Sequence, residues 1–314
     1  MPSCAHMTNR EIPNLAESFL LMGTTVTIRV VGDAPDLRMQ ESIQRAIGAM
    51  HAVERACSRF DEDSALRELC RHPGQLTPVP PVLFHALRIA CEVSHLTAGV
   101  FDPTVGRILE LQGFNRHYLT GEEISSGVPS NIPTSYRDII LVQDNLSVRL
   151  DKPMMLDLGA VAKGLAIDLA AKELGEWDGF AIDAGGDVYV HGVDPMGEVW
   201  TVGVEDPHHA EEPIALLRAS DMAVCTSGSA KRRSPLHPDI HHLWNPAENR
   251  PARGLVSCTV VAPIAVLADV SATAAFLLGP DRAIPFIEDI GLAAFCVKEN
   301  GQILQTNTMK EYLT

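Results

Sequence analysis

The chain has no CxxC pair among its seven cysteines (Cys4, Cys57, Cys70, Cys91, Cys225, Cys258, Cys296), and the count is odd. A disulfide framework or a zinc cluster is therefore not expected, and a reducing compartment is the default. No run of about 18 or more apolar residues occurs, so no membrane span is expected. The opening residues, MPSCAHMTNREIPNLAESF, hold no basic segment followed by an apolar run, and nothing hydrophobic precedes Cys4. Neither a signal peptide nor a lipoprotein anchor is expected, which leaves a cytoplasmic location. Positive charge is scarce: 25 basic residues against 40 acidic ones give a net charge of -15. That balance argues against a nucleic-acid partner. It also means that a phosphate ligand has to be held by local devices, namely a metal, a lysine or backbone N–H groups. GxGxxG and GxxxxGK[ST] are both absent, so neither a Rossmann nor a P-loop site is supported. There is no internal repeat and no low-complexity segment.

What is present is a chain of 314 residues with 46% hydrophobic composition, enough for one large domain or two small ones. Residues 19–32, FLLMGTTVTIRVVG, read as a strand with Gly23 at a bulge or close approach. Apolar residues at Ile43, Ile47, Met50, Val53 and Cys57 predict an amphipathic helix over 38–58. The prolines ending 72–81 start a second helix over 82–97. Residues 125–135, SSGVPSNIPTS, are the most linker-like stretch. DIILVQ and LSVRL predict a hairpin about Asp144-Asn145. Further strands are expected on either side of Gly185-Gly186, in VWTVGVEDP, AVCTSG and LVSCTVVAP, and about Asn300-Gly301. A helix is expected over 266–279. Strands and helices mix without a regular βαβ period, which points to an α+β fold.

The stretch MLDLGAVAKGLAID, 155–168, opens like a buried strand and closes like a helix, with Asp157, Gly159 and Lys163 at the joint. With helix from 161, Lys163 lies in its first turn and can contact a phosphate or a carboxylate. A surface lysine explains it equally well. Asp269 and Thr273 lie four apart at the start of a predicted helix and so share a face. A carboxylate and a hydroxyl there can ligate a hard cation such as magnesium. A helix-dipole carboxylate beside a core threonine accounts for the same pattern. His241-His242 precede a loop, where a histidine is a natural proton carrier. With His237 nearby, a solvated histidine-rich loop fits as well. The glycine-rich places at Gly23, Gly99, Gly159 and Thr226-Ser227-Gly228 could each set N–H groups against a phosphate, or be ordinary turns.

MGTTVTI, SRFDEDSALREL, TAGVFDPTVGRILELQGF, LDLGAVAKGLAID, IDAGGDVYVHG, TSG and ADVSATAAFLLG follow one another in the order found in the ApbE family, and over roughly 19–305 the chain resembles those flavin transferases. The resemblance implies a T-fold-like α+β architecture of mixed sheets with packed helices, a two-lobed single domain over 19–314 after an N-terminal extension over 1–18. It implies an FAD:protein FMN transferase that uses magnesium, passes FMN from FAD to a threonine hydroxyl of a flavoprotein acceptor with a D-x-x-[ST]-G-A-T-type site, and releases AMP. Hydrolysis of FAD to FMN and AMP, or FAD binding without catalysis, are the alternatives. By the same resemblance Ala160 (through its carbonyl), Asp269 and Thr273 are the metal ligands. Met22, Val100, Phe101, Asp102, Asp157, Lys163, Leu243 and Ala272 contact FAD. His242 is the base for the accepting hydroxyl, with a pKa expected near 6.5, and His241 points elsewhere. Two departures stand out. After TSG, Ala230 and Lys231 replace an aromatic and a glutamate, while Arg232 is kept. In the stretch after His242, Asn245 replaces an aspartate and the T-G pair is missing.

Overall fold

The computed structural model describes residues 11–209, 212–230 and 232–314. Cys4 and Lys231 lie outside the described residues. Eight strands form the main sheet: β1 (Asn14–Leu21), β2 (Thr24–Val31), β3 (Gly179–Ala184), β4 (Asp187–Gly192), β5 (Met222–Gly228), β6 (Leu255–Ala262), β7 (Ala293–Lys298) and β8 (Ile303–Gln305). They lie in the sheet in chain order, and every neighbouring pair is antiparallel. The helices are α1 (Asp36–Cys57), α2 (Ala65–Arg71), α3 (Pro81–Leu96), α4 (Gly106–Leu111), α5 (Gly159–Leu174), α6 (Ala265–Leu278) and α7 (Pro280–Asp289). The class is α+β, as the mixed pattern predicts.

Alternation along the strands explains the layering, because successive side chains point to opposite faces. Ala223, Cys225, Cys258, Val260, Ala294 and Cys296 face the helices in one core. Their neighbours Val224, Val261, Phe295 and Val297 face a second core, closed by the hairpin of Trp200–Glu205 and Pro213–Ala219. α1 buries Met39, Ile43, Ala46, Met50 and Val53 at helical spacing. α6 is buried almost all round, so Asp269 and Thr273 are polar exceptions inside an apolar helix. Its first N–H groups have no cap of their own. Asp168 of α5 supplies one, accepting from Ala265 and Val266 at 2.7 and 2.9 Å.

Several expectations change. Residues 19–32 are not one strand but the β1–β2 hairpin, turning at Met22-Gly23, where both φ angles are positive (51° and 76°). β1 begins at Asn14, inside the segment expected to be an extension. Met154, Met155, Leu156 and Leu158 are buried, but residues 153–158 pair with no strand; the Asp157 N–H goes to the Pro103 carbonyl at 2.7 Å. α5 starts at Gly159 rather than 161, which moves Lys163 into its second turn. The strand Pro213–Ala219 had no alternating polar pattern to announce it.

α5 and α6 cross closely at Gly164. A Cβ there would stand 2.5 Å from both the Ala265 carbonyl oxygen and the Val266 Cα, which are backbone atoms that cannot rotate away. Gly164→Ala should therefore lower stability by about 1–3 kcal/mol, the range for overpacking, read as a lower midpoint in thermal denaturation.

Candidate active site

The ends of these elements enclose a cavity of about 1240 Å³. That exceeds the usual volume of a small-ligand pocket and suits a dinucleotide. Of the residues singled out above, Met22, Phe101, Asp102, Asp157, Ala160, Lys163, His242, Leu243, Asp269 and Thr273 all line it. Val100 and Ala272 do not. Val100 packs against the core, and Ala272 is fully buried within α6.

One corner of the cavity is built of oxygen. Asp269 is 3% exposed; one carboxylate oxygen accepts the Gly164 N–H at 3.0 Å and the other lies 3.5 Å from the Lys163 ammonium. Burial lifts its carboxyl to about 7; Lys163 pulls the other way, and Asp187 adds to the rise. Lys163 itself pairs directly with Asp187. Burial disfavours the ammonium, but Asp187 and Asp269 outweigh it and hold its pKa above the usual lysine range. Thr273 shares a hydrogen bond of 2.7 Å with Ser227. Among the described residues no group of three or more His, Cys, Asp and Glu side chains is gathered as a metal cage. The donors here are carboxylates and hydroxyls.

Asp157 is not spare for a ligand as expected. Its carboxylate pairs with the buried Arg59 at 2.5 Å and accepts the Gly159 N–H at 2.9 Å. Burial opposes its ionisation, yet Arg59 and the Gly159 N–H hold the carboxyl below the usual range. Arg59 also donates to the Phe114 carbonyl at 2.5 Å. Asp102 likewise spends its oxygens on main chain, accepting N–H groups of Thr104 and Tyr136 at 2.9 Å each. It fastens the FDPTVG turn while part of it faces the cavity. Met22, held at positive φ, donates its N–H to Glu54 at 2.9 Å, and Tyr118 donates to the same oxygen at 2.7 Å.

His242 sits edge-on to Phe114, and its Nδ1 is buried without a partner. Burial first, and Arg232 second, push its pKa down to about 3, far from the value of a free histidine. His241 does point elsewhere. Its ring bonds the Ala252 carbonyl at 2.9 Å, accepts the Leu243 N–H at 3.2 Å and packs edge-on against Phe276. Asn245 accepts the N–H groups of Ala247 and Glu248 at 3.0 and 3.2 Å. A side-chain oxygen is all that turn requires, so an amide serves there as a carboxylate would.

The chain matches the ApbE family over residues 22–296. The chain belongs to the ApbE family. The FAD:protein FMN transferase of Salmonella typhimurium is 28% identical to it over 312 residues, covering 93% of this chain and 87% of the relative. That of Klebsiella pneumoniae is 26% identical over 307 residues, with the same coverage. The crystal structure of the ApbE protein from Thermotoga maritima superposes with a TM-score of 0.85 at 29% identity, covering 96% of this chain and 100% of that one. The apo flavinyl transferase ApbE of Pseudomonas stutzeri has the same fold, with a TM-score of 0.79 at 22% identity, covering 97% and 99%.

Against this ApbE frame, residue-by-residue reading missed Glu54, Arg59, Tyr118 and Asp187, and took Ser227 only as part of a glycine-rich turn and not for its hydroxyl. Arg59, Asp187 and Ser227 lie inside motifs already quoted, SRFDEDSALREL, IDAGGDVYVHG and TSG, so a signal existed. Glu54 and Tyr118 carry none, because each reads as a surface residue. The Arg59 pairing changes what Asp157→Ala should do. Removing one member of a buried ion pair strands the other, at about 3–5 kcal/mol. Asp157→Ala should therefore unfold at a clearly lower temperature, and Asp157→Asn at an intermediate one.

Proposed function

We propose that the chain is a magnesium-dependent FAD:protein FMN transferase. It moves FMN from FAD to a threonine hydroxyl on a flavoprotein acceptor of the D-x-x-[ST]-G-A-T type and releases AMP. The observation that carries this is the pairing, within one dinucleotide-sized cavity, of an oxygen-rich anionic corner with a histidine on the cavity wall.

The residues present fit magnesium, which takes hard oxygen ligands and few of them from protein. Asp269, Thr273 and the Ala160 carbonyl would hold it. Two buried carboxylates face a single ammonium there, so the corner is one positive charge short. A bound cation would neutralise charge on the pyrophosphate oxygens as phosphoryl transfer proceeds.

The chain's own groups do the rest. Lys163 adds positive charge to the same corner. Met22 and Phe101 form apolar wall, while Asp157 holds Arg59 and the start of α5 in place. His242, neutral and on the cavity wall, takes the proton of the accepting hydroxyl. Ala230, where the family resemblance implies an aromatic, also lines the cavity.

Incubation with FAD and magnesium, with and without an acceptor carrying that motif, separates the readings. Transfer requires AMP release that depends on acceptor. Equal AMP in its absence would make the chain an FAD pyrophosphatase. Tightly held, intact FAD in both arms would make it a binding protein.

A further inference from the structure

Lys163 stands between two buried carboxylates and treats them unequally. Its ammonium pairs directly with one oxygen of Asp187 and stands 3.5 Å from Asp269. Each carboxylate spends its other oxygen on main chain: Asp187 accepts the Thr226 N–H at 3.1 Å, and Asp269 the Gly164 N–H at 3.0 Å. Each therefore has a single oxygen left toward the cavity, and Lys163 can satisfy only one of them closely.

The fold determines which one. Asp187 opens β4 directly after Gly185 and Gly186, both at positive φ (70° and 96°), the two-residue turn that a primed hairpin demands. The turn and the Thr226 contact fix Asp187 from two strands. It is 3% exposed, too enclosed for water to screen it fully. Lys163 rides on α5 at the far side and reaches across to it.

With Asp187 gone, Asp269 would be the acceptor left within reach of the ammonium. A lysine seated on Asp269 would compete with any cation for that oxygen and repel a divalent one. We propose, building on Asp269 as the metal ligand, that Asp187 is a positioning residue: it anchors Lys163 away from Asp269 and so keeps Asp269 open to a divalent cation. Asp187 then governs metal affinity without itself being a ligand.

The test is calorimetric titration of Mg²⁺ into the metal-stripped full chain, with Mn²⁺ paramagnetic resonance as a second probe. The proteins are wild type, Asp187→Asn, Lys163→Met and the double variant, each with a thermal melt in the absence of metal. Asparagine keeps the shape of Asp187 and an oxygen for Thr226. Asp187→Asn should weaken Mg²⁺ binding by about tenfold or more, equivalent to ~1.4 kcal/mol. Lys163→Met should bind Mg²⁺ more tightly than wild type, and the double variant should recover at least wild-type affinity.

A double variant as weak as Asp187→Asn would make Asp187 a direct ligand and overturn the proposal. Wild-type affinity in Asp187→Asn would overturn it too, as would a Lys163→Met affinity no tighter than wild type, a test that holds even if Asp187→Asn does not fold. Absence of Mg²⁺ binding in every protein, wild type included, would instead remove the metal reading on which the proposal is built.

Discussion

Asp269→Ala should lose nearly all magnesium-dependent turnover of FAD. The variant removes a charged oxygen from a corner where two carboxylates already face one ammonium. Metal stabilisation of developing phosphoryl charge is worth several kcal/mol, so a fall of roughly 10²–10³-fold in kcat/KM is expected. Thr273→Ala removes a neutral ligand and should cost less, and it also leaves the Ser227 hydroxyl without its partner at 2.7 Å. Initial rates across a magnesium titration check both. A wild-type magnesium response in the two variants would remove α6 from the metal site. Because Asp269 also accepts the Gly164 N–H, Asp269→Asn is the companion that keeps this contact and separates charge from packing.

His242→Ala should slow flavin transfer by roughly 10²-fold, the low end for a positioned general base because a nitrogen held near 3 is a weak base at neutral pH, while leaving the FAD dissociation constant nearly unchanged. The pH profile departs from the sequence expectation. A histidine near 6.5 would give a rate rising through that pH, whereas burial and Arg232 set His242 at about 3. The ring is therefore neutral, and able to accept a proton, throughout pH 5–9. The transfer rate should show no inflection near 6.5 from this group, whose own contribution should be lost only toward pH 3. For stability, a folded pKa below the unfolded one means that the unfolded chain binds more protons. The contribution of His242 is complete above about pH 6.5 and is lost as pH falls toward 3. The melting temperature of His242→Ala should thus depend less on acid than that of wild type. His241 is not a silent control, since it bonds the Ala252 carbonyl and packs on Phe276. The exposed His237 serves better.

Much of the fold was legible because its signals are local. Helical spacing gave α1 and the prolines preceding α3 gave that helix, each to within two residues, the helix expected over 266–279 is α6, and the turn glycines at 185–186 and 301 marked their hairpins. The β1–β2 hairpin was missed because Met22, a non-glycine residue, occupies the first turn position at positive φ. The stretch before α5 looked like a strand because it is buried and apolar, yet burial alone does not make a ladder. In the candidate site, the types of residue were legible and their pairings were not. Arg59 and Asp157 are 98 positions apart, and Lys163 meets Asp187 and Asp269 from three separate elements. Those meetings depend on sheet register and on the α5–α6 crossing. The same holds for His242: its residue type suggests a titrating base, but the walls around it decide its pKa.

The most direct measurement is covalent flavin on an acceptor. A purified acceptor with the D-x-x-[ST]-G-A-T site is incubated with the enzyme, FAD and magnesium, then denatured and analysed by in-gel fluorescence and intact mass. Acceptor carrying one FMN, absent when its threonine is replaced by valine and absent with Asp269→Ala, is the predicted result. An unmodified acceptor beside complete conversion of FAD to FMN and AMP would contradict it.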